Sequence, residues 1–174
     1  MLGPLLKILA RLGVTADVVT LVSLLLGLAF CPVYFFSKPL ALVLLALHVC
    51  TDGLDGPMAR FSRTDSRRGS FTDTMADQIV VASTTVTLIL GGVLGVLPGG
   101  LYIFSYTVVI AFAMIRNALS IPYSWLVRPR FIIYAWLPVE FYLLPGSLDY
   151  VMWLFVVLLV GKMASGYVRI RRRI

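Results

Sequence analysis

Long apolar runs alternate with short polar segments along the chain, and these runs predict helices that cross a membrane. Val18–Phe36 and Ile79–Leu97 carry no charged residue, and each approaches the roughly 20 residues that a helix needs to span the hydrocarbon layer. We predict six spans, of which the fifth is short and broken by Pro138. Their bounds are Asp17–Ser37, Leu40–Arg60, Gly69–Leu97, Leu101–Ser120, Phe131–Leu144 and Leu148–Val168. The pattern therefore predicts an all-α integral membrane protein with a six-transmembrane-helix bundle over residues 15–174.

The first residues show a different pattern, in which leucine and isoleucine alternate with basic residues at helical spacing. Met1–Gly13 contains six Leu or Ile residues, interleaved with Lys7 and Arg11. Such a segment is typical of an amphipathic helix that lies in the membrane surface. We predict an N-terminal juxtamembrane helix over residues 1–14, which belongs with the bundle to a single membrane domain, residues 1–174.

Capping and turn-forming residues mark the ends of the predicted spans. Thr15 or Asp17 can cap the first helix. We expect turns at Lys38-Pro39, in the polar loop Ser62–Arg68, at Leu97–Gly100 and at Pro145–Ser147, with Pro122 helping to end the fourth span.

Composition and charge indicate a membrane protein rather than a nucleic-acid-binding one. The chain is 60% hydrophobic and 13% charged, whereas about a quarter of a typical soluble domain is charged. Thirteen of the fifteen basic residues fall on one side of the predicted spans: before the first span, from Arg60 to Arg68, from Arg116 to Arg130, and after Val168. By the positive-inside rule, both termini and the basic loops are cytoplasmic. The net charge is +7. We therefore interpret the basic residues as determinants of topology that also contact anionic lipid, and we expect no nucleic-acid partner.

Four carboxylates are predicted to share one depth in the membrane. Asp52 and Asp55, three residues apart, share a face of the second span, and Asp73 and Asp77, four apart, share a face of the third. Counted from the cytoplasmic ends of the spans at about 1.5 Å per residue, both pairs lie roughly 6–12 Å deep. Because a short loop makes the two helices antiparallel neighbours, the pairs can face each other.

Ionised carboxylates at that depth need partners, and four together would repel one another. Divalent cations such as Mg²⁺ or Mn²⁺ resolve this, because they prefer oxygen ligands. Salt bridges to nearby arginines are the alternative, with Arg60, Arg63, Arg67 and Arg68 as the candidates. The small residues Gly56 and Ala59 allow a ligand or a helix to approach closely, and Arg60 can clamp a phosphate.

The acidic residues belong to one spaced pattern. It reads Asp52-x-x-Asp55-Gly56-x-x-Ala59-Arg60, then eight residues, then Gly69-x-x-x-Asp73-x-x-x-Asp77. This resembles the signature of the CDP-alcohol phosphotransferases, also called CDP-alcohol phosphatidyltransferases, and every fixed position is present. The resemblance implies a membrane enzyme of phospholipid biosynthesis. Such an enzyme moves a substituted phosphate from a CDP-linked lipid, such as CDP-diacylglycerol or an archaeal equivalent, to an acceptor hydroxyl, with release of CMP. It also implies a homodimer.

The resemblance assigns roles to the residues of the pattern. It implies that Asp52, Asp55, Asp73 and Asp77 bind a pair of divalent ions, Mg²⁺ or Mn²⁺, and that Asp77 is also the general base that deprotonates the acceptor. The CDP-lipid site would include Gly56, Ala59, Arg60, Ser66 and Gly69.

The segment TADVVT, Thr15–Thr20, resembles the start of the first span in the same family. It implies that Asp17 and Thr20 approach the nucleotide, whereas capping and packing are their alternative roles. Two positions depart from the family pattern: Ala16 replaces a usual proline, and Gln78 follows the last aspartate where Lys or Arg is common. Neither departure removes a catalytic group.

The acceptor is less sharply defined by the sequence. Arg116, Arg128 and Arg130 are the basic residues available to bind an anionic acceptor, with topology as their alternative role. The Arg128–Arg130 segment, RPR, resembles a basic segment of the inositol-phosphate branch of the family. We therefore predict a phosphorylated polyol, inositol phosphate or glycerol phosphate, and keep serine as an alternative.

Two other functions remain open at this point. Acidic residues inside a membrane also mark ion paths, so a divalent-cation or proton transporter is the alternative from another class, and a purely structural subunit is a third. We expect His48, one turn before Asp52, to be a packed or hydrogen-bonded helix residue rather than a ligand. Cys31 and Cys50 lie in different predicted spans, so we interpret them as packing residues.

Overall fold

The structure is all-helical over the residues that it describes. It is a computed structural model, and it describes residues 3–62, 66–119 and 128–172. The helices are α1 Gly3–Arg11, α2 Ala16–Phe36, α3 Lys38–Phe61, α4 Arg67–Leu90, α5 Val96–Ala118, α6 Pro129–Tyr142 and α7 Ser147–Arg171. The all-α prediction is confirmed. The chain divides into two compact units, Met1–Thr84 and Thr85–Ile174.

Four helices, α2, α3, α5 and α7, are long and apolar enough to cross a membrane. Between 22% and 33% of the residues in their apolar windows are buried within the protein, so most of these surfaces are left to face lipid. The prediction of an integral membrane protein is confirmed at this level. Helices α4 and α6 are not among the helices that are long and apolar enough to span by themselves. Helix α4 carries Asp73 and Asp77 in its first half, and α6 has 14 residues.

In the first unit, a single residue joins α2 to α3. Thr15 caps α2, since its hydroxyl accepts from the Val18 N–H at 3.4 Å. Ser37 ends α2 by donating its N–H to the Val33 carbonyl at 2.8 Å, and begins α3 by accepting from the Leu40 N–H at 3.4 Å. The expected turn at Lys38-Pro39 therefore lies inside the first turn of α3, where a proline removes no helical hydrogen bond.

In the second unit, the expected turn at Leu97–Gly100 is wrong. Helix α4 ends at Leu90, the chain turns through residues 91–95, and α5 already begins at Val96. Gly92 has a φ of 70°, which glycine adopts without a steric penalty. Pro98 fits in the first turn of α5 because the first N–H groups of a helix have no acceptor within it.

Helix α6 also differs from the prediction, because it continues through Pro138 to Tyr142. Its Glu140 closes the connection to α7: Oε1 accepts from the Gly146 N–H at 2.6 Å, and Oε2 accepts from the Leu148 N–H at 2.7 Å. A carboxylate at a helix N-terminus also interacts favourably with the helix dipole. The predicted end of the fourth span at Pro122 lies outside the described residues.

Candidate active site

Three carboxylates converge in the first unit. Asp52 and Asp55 come from α3 and Asp73 comes from α4, and one oxygen of each lies within 4.8 Å of the others. Asp55 is buried, and the other two are half-buried. Carboxylate oxygens are the ligands that Mg²⁺ and Mn²⁺ prefer. This donor set therefore fits a divalent cation.

Asp77, the fourth predicted ligand, is not in this group of three. It is half-buried and lies four residues after Asp73 on α4, which is about 6 Å further along the helix axis. Counting residues gave the two pairs a common depth. The structure brings Asp73 together with the α3 carboxylates, and Asp77 follows one helical turn later in the chain.

The carboxylate of Asp55 is held by donors on both oxygens. Oδ2 accepts from the Thr20 hydroxyl at 3.1 Å, and Oδ1 accepts from the Gly56 N–H at 2.5 Å. Thr20 lies on α2, so this contact joins two helices. It orients one of the three converging carboxylates before any ligand arrives.

A cavity of about 530 Å³ lies beside these residues, which is within the usual range for small-molecule sites, about 300–1,000 Å³. All seven residues predicted for the CDP-lipid line it: Asp17, Thr20, Gly56, Ala59, Arg60, Ser66 and Gly69. Asp55 and Asp73 complete its acidic wall. The structure therefore brings the separate segments of the sequence pattern around one space.

Ser70 also lines the cavity, together with Thr15 and Ala16, although sequence reasoning gave Ser70 no role. The signal was its spacing, because Ser66, Ser70 and Asp73 follow one another at four and three residues and so share a helix face.

The start of α4 is arranged to receive an anion. The Ser66 hydroxyl oxygen accepts from the Gly69 N–H at 3.0 Å, which caps the helix. The N-terminus of a helix carries partial positive charge. On α3, the Arg60 guanidinium folds back over Gly56, with Nη1 3.5 Å from the position that a Cβ would occupy there. Phosphate oxygens are the natural partners of these groups.

The three arginines predicted for the acceptor lie in the second unit. Arg116 on α5 and Arg130 on α6 are buried, and Arg128 is exposed just before α6 begins. The guanidinium carbon of Arg130 lies 4.6 Å from the centroid of the Phe131 ring, a cation–π contact. Their role toward an acceptor stays a prediction.

His48 and the two cysteines, which the sequence analysis interpreted as packing residues, lie outside the group of carboxylates. His48 is buried, and its Nδ1 lies 2.9 Å from both the hydroxyl and the carbonyl oxygen of Ser23. This agrees with the expected packed, hydrogen-bonded histidine. Cys31 and Cys50 are both free thiols.

Comparison with known proteins agrees with the resemblance seen in the sequence. Residues 13–164 match the model of the CDP-alcohol phosphatidyltransferase family. The chain is 34% identical over 101 residues to an archaetidylinositol phosphate synthase of Aeropyrum pernix, covering 55% of this chain and 52% of that protein. It is 36% identical over 87 residues to one of Pyrococcus horikoshii, covering 49% and 46%. The matches thus span about half the length of these curated relatives.

Solved structures of a phosphatidylinositol phosphate synthase from Mycobacterium tuberculosis share the fold. The complex with manganese and citrate aligns with a TM-score of 0.81 at 22% identity, covering 98% of this chain and 88% of that one. The form with CDP-DAG bound gives 0.81 at 24% identity, covering 96% and 92%.

Proposed function

Because the chain belongs to the CDP-alcohol phosphatidyltransferase family, we propose that it transfers a phosphatidyl-type group from a CDP-linked lipid to an acceptor hydroxyl and releases CMP. The observation that carries this proposal is the convergence of Asp52, Asp55 and Asp73 beside a cavity lined by the rest of the pattern. A transporter needs acidic groups along a path through the membrane, whereas these lie together at one end of α3 and α4.

In this proposal, Asp52, Asp55 and Asp73 hold divalent cations, two in number with the help of Asp77. Bound Mg²⁺ or Mn²⁺ would neutralise charge on the diphosphate and on the departing CMP. Arg60 and the first turn of α4 bind and orient the phosphates. Ser66 accepts a hydrogen bond through its oxygen, which leaves its hydroxyl proton available to a phosphate oxygen.

The reaction then needs one proton acceptor. Asp77 takes the proton of the acceptor hydroxyl. The acceptor oxygen then forms a bond to the phosphorus that carries the lipid, while the bond from this phosphorus to CMP breaks. A carboxylate within hydrogen-bond reach of the acceptor hydroxyl can serve as this general base.

We propose inositol phosphate as the acceptor, with Arg116, Arg128 and Arg130 as its anion-binding residues. The support is the naming of the relatives as archaetidylinositol phosphate synthases. Glycerol phosphate is the second candidate.

The proposal also includes the arrangement in the membrane. All of α2–α7 form a six-span bundle in one domain, with α1 lying in the interface and both termini and the active site on the cytoplasmic side. The match to the family model over residues 13–164 supports a single domain. The protein would act as a homodimer.

The test is metal-dependent CMP release by purified protein in detergent, with diacyl and archaeal ether CDP-lipids and a panel of inositol phosphate, glycerol phosphate and serine. We expect release with inositol phosphate, and its loss with EDTA and in Asp77→Asn. CMP release in the absence of acceptor or of divalent metal would contradict the proposal. The absence of CMP release with every combination of CDP-lipid and acceptor would contradict it too.

A further inference from the structure

The hydroxyl of Thr20 donates a hydrogen bond to the carboxylate of Asp55 at the edge of the cavity. Thr20 is 9% exposed and Asp55 is 8% exposed. A threonine inside a helix usually donates to the carbonyl four residues earlier. Thr20 lies 3.2 Å from that carbonyl, of Ala16, and 3.1 Å from the Asp55 carboxylate on another helix. Its one proton is therefore shared between two acceptors within the protein.

The register of α2 against α3 holds this contact in place. One turn along α2, the Ser23 hydroxyl donates to the His48 carbonyl at 3.2 Å and lies 2.9 Å from the His48 ring. Both residues are buried. Polar contacts from two successive turns of α2 thus join α2 to α3.

The remaining lone pairs of Asp55 are what a cation would use. Each carboxylate oxygen has two lone pairs, and each oxygen of Asp55 already accepts one hydrogen bond. These bonds fix the rotation of the carboxylate and leave one lone pair on each oxygen.

A direct contact of Thr20 with the nucleotide phosphates fits this geometry less well. Phosphate oxygens need donors, and the Thr20 proton is engaged by Asp55 and Ala16. Ser66, by contrast, keeps its proton for a ligand, and Arg60 is exposed at the cavity.

We infer that Thr20 is a positioning residue, whose hydroxyl fixes Asp55 in the orientation that binds a divalent cation. This rests on the metal site of the proposed function. Loss of the hydroxyl should weaken cation binding in the absence of any nucleotide.

The experiment measures the Kd for Mn²⁺ by electron paramagnetic resonance, on the purified full chain in detergent without nucleotide. Removing a group that orients a metal ligand typically weakens metal affinity 10–100-fold, so we expect a Kd raised roughly 10-fold in Thr20→Val. Thr20→Ser restores the hydroxyl and should restore the wild-type Kd. CMP binding at saturating Mn²⁺ should be unchanged in both.

Ser23→Ala is the matched control. It also removes a buried hydroxyl from α2, but that hydroxyl contacts His48 and not an aspartate. We expect a lower Tm and an unchanged Kd for Mn²⁺. An equal rise in Kd for Ser23→Ala would reduce Thr20 to a general packing role and overturn the inference. Weaker CMP binding with unchanged Mn²⁺ affinity in Thr20→Val would do the same.

The two proposals fail differently. Wild-type protein that binds no Mn²⁺ overturns the inference about Thr20. Wild-type protein that binds Mn²⁺ but releases no CMP overturns the proposed function, and the Mn²⁺ affinities of the variants still decide the role of Thr20.

Discussion

Gly27 of α2 packs against Val80 of α4 so closely that no side chain fits at position 27. A Cβ there would lie 2.6 Å from both γ carbons of Val80 and 3.2 Å from Nδ1 of His48. Val80 and His48 are buried. Because Asp73 lies two turns before Val80 on α4, this contact helps to set where Asp73 meets the carboxylates of α3.

Gly27→Ala should therefore destabilise the protein, although alanine is normally the better helix former. Overpacking a tight core typically costs about 1–3 kcal/mol. We expect a lower Tm in detergent, and a recovery in the double variant Gly27→Ala/Val80→Ala. Gly161→Ala is the control, since a Cβ there meets nothing within 4 Å. Equal Tm values for the two alanine variants would contradict the tight contact.

Asp73→Asn and Asp77→Asn should separate metal binding from proton transfer. Asp73 belongs to the converging carboxylates and Asp77 does not. We expect Asp73→Asn to weaken Mn²⁺ binding and abolish CMP release. Asp77→Asn should lose at least about 100-fold in turnover, as expected for a general base, while the tighter Mn²⁺ site remains. Loss of all Mn²⁺ binding in Asp77→Asn would show that Asp77 is a principal ligand instead.

Ser66 carries two roles that glycine and alanine can separate. Replacing a capping serine by alanine costs about 1 kcal/mol, whereas glycine costs only a few tenths. Both remove the hydroxyl, so both should raise KM for the CDP-lipid about tenfold if it donates to a phosphate. A normal KM in Ser66→Gly would show that Ser66 serves only to cap α4.

The aspartate spacing was sufficient to predict much of the site. Residues three apart on one helix must share a face, which is why Asp52 and Asp55 point the same way. All seven residues that the sequence assigned to the CDP-lipid are among the twelve that line the cavity. Depth along a helix follows from counting, but the direction of a side chain depends on how the helix is rotated. Asp73 and Asp77 share a face of α4, so which of them joins the group depends on the register of α4 along α3, and packing sets that register.

The rest could not be read from local signals. The contact between Thr20 and Asp55 joins positions 35 residues apart, and only packing creates it. Glycine occurs both in residues 91–95 and at Gly99–Gly100, so two segments had turn-forming residues. The structure turns at the first, where the Asp149 carboxylate accepts from the Gly95 N–H at 2.8 Å.

The carboxylate of Glu140 leads to the last prediction, because it accepts from three donors at the start of α7. Besides the N–H groups of Gly146 and Leu148, the Ser147 hydroxyl donates to it at 3.0 Å. Glu140→Gln places an NH₂ group against at least one of these donors, and leaving a buried donor unsatisfied costs about 1–3 kcal/mol.

Asp149→Asn is the comparison, since an amide oxygen can still accept from Gly95. We expect Glu140→Gln to lower the Tm in detergent clearly more than Asp149→Asn does. Equal and small losses would mean that the start of α7 is held by apolar packing, through residues such as Leu148 and Met152 that are fully buried, rather than by the Glu140 carboxylate.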